Sequence, residues 1–137
     1  MTYRFLPHTA DIRVAIEAPG FEQLLAEATV VVRGLLAGTG RVEEREERRL
    51  TVRGADPTEV FLRYLQELLY LFETEGFLPA TVDTDRFAGT EAVIRVSGEV
   101  SDPARHEHQP EVKAVTRHGL TVVRGDVGWR AEVVFDV

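Results

Sequence analysis

The chain has 137 residues, a net charge of −7 and no cysteine. This length suits one domain over residues 1–137 with its own core, and the lack of thiols excludes disulfides, zinc–thiolate sites and thiol catalysis. An acidic surface repels phosphate backbones, so we expect no stable direct binding to nucleic acid. No apolar run approaches the roughly 20 residues that span a bilayer, and the N-terminus lacks a signal-peptide core, so we expect a cytoplasmic protein without membrane association.

Hydrophobic periodicity predicts the first strand and the first helix. Apolar and polar residues alternate from Asp11 to Glu17, which is typical of a strand with one buried face. From Phe21 to Leu36 the apolar residues take helical spacing, and Gly38 follows as a stop signal. The charge run Glu43–Arg49 is predicted to be a solvated face or loop, and Leu50–Arg53 a short strand.

The second predicted helix has a complete set of boundary signals. Asp56 is suited to the N-cap, Pro57 to the first helical position, and Glu59 completes a capping-box pattern. A wide apolar stripe follows, and Gly76 marks the end.

The remainder of the chain reads as strands joined by turns. The predicted strands are Thr81–Phe87, Glu91–Val100, Val112–Val123 and Trp129–Phe135, with a polar loop between Ser101 and Pro110. Strands that follow one another through short turns pair antiparallel. The sequence therefore predicts an α+β fold, a mostly antiparallel sheet with two main helices packed on one face.

Lys113 is unusual because the other 15 of the 16 basic side chains are arginine. A lysine is a mobile point charge that can shift its pKa and give up a proton, whereas a guanidinium stays charged in a rigid fork. A position that remains lysine against this bias is a candidate functional residue, although a single leftover lysine requires no cause.

The end of the chain concentrates negative charge. Asp136 is penultimate, and Val137 carries the α-carboxylate. If the last strand lies beside the first, Asp11 joins them, and three converging carboxylates repel one another unless a cation neutralises them. Hard oxygen ligands suit calcium, magnesium or manganese. The alternative is a frayed, solvated terminus, as is common for chain ends.

The four histidines give weaker signals. His106 and His108 lie in a proline-flanked loop without a third ligand at metal-site spacing, which favours a surface loop. His8 lies near Asp11, and His118 follows Lys113 on the same predicted strand. A hydrogen-bonded structural histidine is the commoner outcome for each.

Several segments together resemble the archease family over the whole chain. They are His8–Ile12, Glu67–Phe77, Asp102–His106, Glu111–Thr116 followed by His118, and a hydrophobic last strand that closes in Asp136 and an apolar residue. The resemblance implies an accessory protein, not itself an enzyme. Its partner would be the RtcB-type RNA ligase of tRNA splicing and RNA repair, whose guanylylation and multiple turnover archeases promote.

The resemblance also implies a site. The metal ligands of the family fall on Asp11, Asp136 and the Val137 terminus, which would bind a divalent cation such as calcium, magnesium or manganese. The functionally important lysine of the family falls on Lys113. His8 and His118, within the matching segments, are the further candidates for activating the partner.

Two positions depart from the family pattern, which usually has glycine at Arg13 and tyrosine at Arg117. Arg13 falls in a strand pattern that could point it towards solvent, and Arg117 can change the local charge or the partner contacts.

The lack of asparagine, the single methionine and the many Arg and Glu residues indicate a thermophilic source.

Two other functions remain open from the residues alone. A metal-dependent hydrolase or nuclease could use the same carboxylates with His8 or His118 as general base, although no nucleophile elbow or phosphate loop is present. A chaperone-like adaptor could hold a client protein through its sheet, with a merely structural metal.

Overall fold

The computed structural model describes residues 2–6, 11–106 and 112–137. In chain order the elements of these residues are β1 (Thr2–Leu6), β2 (Ile12–Ala18), α1 (Phe21–Ala37), β3 (Glu46–Arg53), α2 (Pro57–Glu75), β4 (Phe77–Phe87), β5 (Glu91–Val100), β6 (Ala114–Val115), β7 (Thr121–Gly125) and β8 (Gly128–Asp136).

The strands form two antiparallel sheets. In the first sheet β2 lies between β1 and β8, and the far edge of β8 is shared by β7 and β6. In the second sheet β5 lies between β3 and β4. β8 is therefore the central strand of the first sheet and carries the chain end out between β2 and β6.

The boundaries of α2 follow from its capping residues. The Asp56 carboxylate accepts a hydrogen bond from the Glu59 N–H at 2.9 Å, and Glu59 accepts one from the Ala55 N–H at 3.2 Å. Both side chains satisfy N–H groups that have no partner within the helix. Gly76, with a φ of 70°, ends the helix in the left-handed conformation.

One hydrophobic core joins both helices to both sheets. Each helix contacts strands of the first and of the second sheet. The inner face of β2 contributes Val14 and Ile16, and β8 contributes Val133 and Phe135, all nearly inaccessible to solvent. The α+β fold with antiparallel pairing and two helices is confirmed, and the structure adds that the strands divide into two sheets.

The predicted single strand Val112–Val123 is wrong. The structure has the two-residue strand β6 and the separate strand β7, joined by a turn in which Gly119 has a φ of 70°. A left-handed residue breaks the extended backbone, and glycine adopts it without steric cost. Both strands still pair with β8, at different positions along it.

The charge run Glu43–Arg49 is solvated for the most part, as predicted, but the strand begins earlier, because β3 starts at Glu46. Charged side chains on an edge strand discourage pairing with other chains. β4 starts at Phe77 instead of Thr81, with an irregularity of pairing after Pro79.

None of the helices in the described ranges is both long and apolar enough to cross a membrane.

Candidate functional site

Three distant parts of the chain meet where β8 ends. The register of β2 with β8 pairs Ile12 with Phe135, so Asp11 and Asp136 come next to each other one step further along. On the opposite side of β8, the Lys113 N–H donates a hydrogen bond of 2.8 Å to the Asp136 carbonyl. The sheet therefore gathers Asp11, Lys113 and Asp136 around one strand end.

The exposure of these residues leaves the strand end accessible. Asp11 and Asp136 are half-buried, Lys113 is exposed, and Val137 is 41% exposed. The described residues contain no group of three or more His, Cys, Asp or Glu side chains placed to hold a metal ion. The predicted ligand set consists of two Asp side chains and the terminal carboxylate of Val137. These oxygens fit a hard divalent cation by chemistry, and this set stays a prediction.

The histidines do not converge with this cluster among the described residues. His118 is exposed in the turn between β6 and β7, where its N–H lies 3.3 Å from the Thr116 hydroxyl. It is therefore not on the strand that follows Lys113, because that strand ends at Val115. His8 and His108 lie outside the described residues.

Helix α2 holds the segment that follows Lys113. The Gln66 amide donates to the Val115 carbonyl at 3.2 Å, and the Arg117 guanidinium forms an ion pair with Glu59. A groove of about 430 Å³ runs between the helix and this segment. Arg117, one of the two departures from the family pattern, thus ties the turn after β6 to the first turn of α2.

The other departure, Arg13, points away from the core on β2. Its guanidinium lies 3.5 Å from the Glu132 carboxylate, and its side chain is 39% exposed. Its Nε is nevertheless buried without a hydrogen-bond partner. The residue reaches solvent, as predicted, at the cost of one unsatisfied donor.

The sequence patterns did not predict a buried ion-pair cluster around Glu99. Glu99 is 2% exposed. Its carboxylate pairs with Arg105, accepts the Glu43 N–H at 2.6 Å, and lies 3.7 Å from Arg45 and 3.4 Å from His106. The hydrogen bond from Arg105 above all, helped by the Glu43 N–H, lowers the pKa of Glu99 to about 2.

His106 completes this cluster. Its Nδ1 accepts the Asp102 N–H at 2.8 Å, which requires the ring proton to sit on Nε2. Nε2 lies 3.2 Å from the Arg41 carbonyl, so it donates there. The prediction of a surface loop is wrong for His106, because this residue is 7% exposed. Of the signals in the sequence, only the arginine and histidine that follow Glu99 within one short loop hinted at the cluster.

Comparison with known proteins gives one consistent family. A family model described as the archease protein family matches residues 3–137. Protein archease of Methanopyrus kandleri is 34% identical over 140 residues and covers all of both chains. Protein archease of Methanosarcina mazei is 32% identical over 139 residues, covering 98% of this chain and 95% of its own.

Solved structures agree on the fold. The solution structure of protein 1598 of Methanobacterium thermoautotrophicum matches with a TM-score of 0.78 and 27% identity, covering 98% of each chain. A Thermotoga maritima protein described as an archease and possible chaperone matches with a TM-score of 0.67, covering 96% of this chain and 94% of its own. Its identity of 24% supports the fold alone.

Proposed function

Since the chain belongs to the archease family, we propose that it activates an RtcB-type RNA ligase. In this proposal it promotes guanylylation and multiple turnover of the ligase in tRNA splicing and RNA repair, and it does not itself join RNA. The acting residues are Lys113 and the carboxylates of Asp11, Asp136 and Val137, with His8 and His118 as further contributors.

The observation that supports this proposal most is the meeting of Asp11, Lys113 and Asp136 around the end of β8. The register of two strand pairs and the 2.8 Å bond from the Lys113 N–H bring them together from positions far apart in sequence. Two half-buried aspartates and an exposed lysine therefore lie at one accessible strand end. In this proposal the strand end enters the active-site cleft of the ligase.

The properties of lysine explain why this position differs from the other basic positions. An exposed ammonium on a flexible stem can pair with a phosphate or with a carboxylate and change partner during a reaction. An arginine would bind a phosphate in a fixed bidentate geometry and release it less readily. Lys113 therefore suits a transient contact with the ligase or its nucleotide.

A divalent cation would be held by Asp11, Asp136 and the Val137 carboxylate. A bound cation would supply positive charge that offsets the repulsion among the three carboxylates.

The remaining surface supports docking to a basic partner. The net charge of −7 is complementary to a ligase surface that binds the phosphate backbone of RNA. Complementary charge speeds association more than it tightens binding. We therefore expect the rate of complex formation to fall as the salt concentration rises.

The test is guanylylation of the RtcB-type ligase from the same source with labelled GTP. Substoichiometric wild-type protein should stimulate the reaction, and Asp11→Ala and Lys113→Ala should each lose most of that stimulation. The matched controls are Asp126→Ala and Arg124→Ala, which remove the same charges from β7 and the exposed hairpin at the opposite end of β8. Both controls should keep full stimulation.

Other outcomes distinguish the alternatives. Hydrolysis of RNA or of a phosphoester by the protein alone, lost in Asp11→Ala, would favour a metal-dependent hydrolase. Binding of the ligase that survives loss of both Asp11 and Lys113 would favour an adaptor. A lack of stimulation by wild type with calcium, magnesium and manganese in turn would contradict the activator proposal.

A further inference from the structure

The Glu99 cluster lies at the start of the segment that leads to Lys113. Alternation along β5 places Ala92, Ile94 and Val96 on the core face, so Glu99 belongs to the opposite face, which would normally meet solvent. It is buried because the turn of Asp102–His106 folds back over it. A buried carboxylate on a solvent-side face is costly unless it is paired, so the contacts of Glu99 must offset the cost of its burial.

The cluster fastens three stretches of chain at one point. Glu99 receives Arg105 from the turn and the Glu43 N–H from the loop before β3. His106 joins the Asp102 N–H on one side to the Arg41 carbonyl on the other. Every strong hydrogen-bonding group of the His106 ring is thereby used, and the turn is fixed against the second sheet.

Lys113 is fixed less firmly than His106. Among the described residues, Lys113 itself makes one backbone bond, to Asp136. The two-residue strand β6 follows it, and the Gln66 amide of α2 holds that strand through the Val115 carbonyl. A strand this short contributes little stability by itself. Six residues, 107–112, separate His106 from Lys113, so the position of His106 confines Lys113 to within roughly 25 Å, the reach of an extended chain of this length.

We propose that Glu99 and His106 are positioning residues that keep Lys113 beside Asp136 by holding the start of its segment against the second sheet. This inference rests on the proposed function only in treating Lys113 as the residue to be placed. The placement of Lys113 by Glu99 and His106 concerns this chain alone and can be tested without the ligase. Loss of the ion pair between Glu99 and Arg105 frees the turn of Asp102–His106. The short pairing of β6 with β8 then opens more often.

The first test is amide hydrogen exchange followed by NMR. Glu99→Gln should speed exchange of the Lys113 amide by about tenfold, whereas the Val133 amide in the centre of β8 reports the loss of global stability separately. The matched control is Tyr64→Phe, which removes a different buried hydrogen bond, the 2.6 Å contact with Thr29. In that control the Lys113 exchange rate should stay as in wild type.

A second pair of variants keeps the test decisive if Glu99→Gln is poorly folded. In His106→Asn the side-chain oxygen can still accept the Asp102 N–H, whereas His106→Ala cannot. Lys113 exchange should therefore be slower in His106→Asn than in His106→Ala. Equal Lys113 rates in these two variants, or a Lys113 rate in Glu99→Gln that matches wild type, would overturn the positioning role.

Ligase stimulation then shows whether the two residues act through Lys113. In a double-mutant cycle, Glu99→Gln should reduce stimulation in the wild-type background and add no further loss in Lys113→Ala. A full additional loss would overturn action through Lys113. If wild type does not stimulate the ligase, the proposed function fails, while the Lys113 exchange rate still decides the positioning role.

Discussion

Replacing Glu99 by glutamine should make the protein less stable at neutral pH but not in acid. The pKa of Glu99 in the folded protein is about 2, against an ordinary value of 4.5. The two values differ by about 2.5, and each pKa unit corresponds to about 1.36 kcal/mol, so the ionised carboxylate stabilises the fold by about 3 kcal/mol.

The pH range of this effect follows from the direction of the shift. A lowered pKa means that folding favours the ionised form, so the stabilisation is complete above pH 4.5 or so and is lost as the pH falls towards 2. Glutamine has the shape of a protonated glutamate. The difference between wild type and Glu99→Gln should therefore be about 3 kcal/mol at pH 7, less than half of this at pH 3, and near zero close to pH 2.

The assay is urea unfolding of both proteins at several pH values between 2 and 7, followed by circular dichroism. The free energy of unfolding is extrapolated to zero denaturant at each pH. Convergence of the two curves in acid is the expected result. A gap that stays constant from pH 7 to pH 2 would refute the argument, because the loss would then come from packing and not from charge.

Two further predictions concern the backbone of β5 at Gly98 and the N-cap of α2 at Asp56. A Cβ at Gly98 would lie 1.9 Å from the Leu78 carbonyl oxygen, so Gly98→Ala should destabilise the fold by about 2 kcal/mol or more. Its control is Gly34→Ala on the exposed face of α1, where a Cβ meets nothing within 4 Å. Because alanine favours the helix more than glycine does, this change should raise the free energy of unfolding by about 1 kcal/mol. Asp56→Ala removes the bond from the Glu59 N–H and should cost about 1 kcal/mol. Thermal unfolding measures all three, and an unchanged midpoint for Gly98→Ala or Asp56→Ala would contradict the respective contact.

Local signals in the sequence were sufficient for the helices and the central strands. The N-cap at Asp56 and the stop at Gly76 lie where the sequence places them, and β5 has the predicted limits Glu91–Val100. These elements could be predicted because periodicity and end signals agree with the buried face.

Elements that depend on tertiary contacts could not be predicted in the same way. The break at Gly119 was hidden by the valines on either side, which read as one continuous strand. Glu99 could not be recognised as buried, because alternation assigns it to the solvent face and only the folded turn of Asp102–His106 covers it. The pairing of β2 and β6 with β8, which assembles the candidate site, is equally non-local.

The most direct test of the activator account compares wild type with Lys113→Arg in stimulating guanylylation of the ligase from the same source. Arginine keeps the positive charge but not the mobile point charge of lysine. Substoichiometric wild type should stimulate the reaction over many turnovers, and Lys113→Arg, equally folded, should lose most of this effect. Full stimulation by Lys113→Arg would contradict the role assigned to lysine, and no stimulation by wild type would contradict the account as a whole.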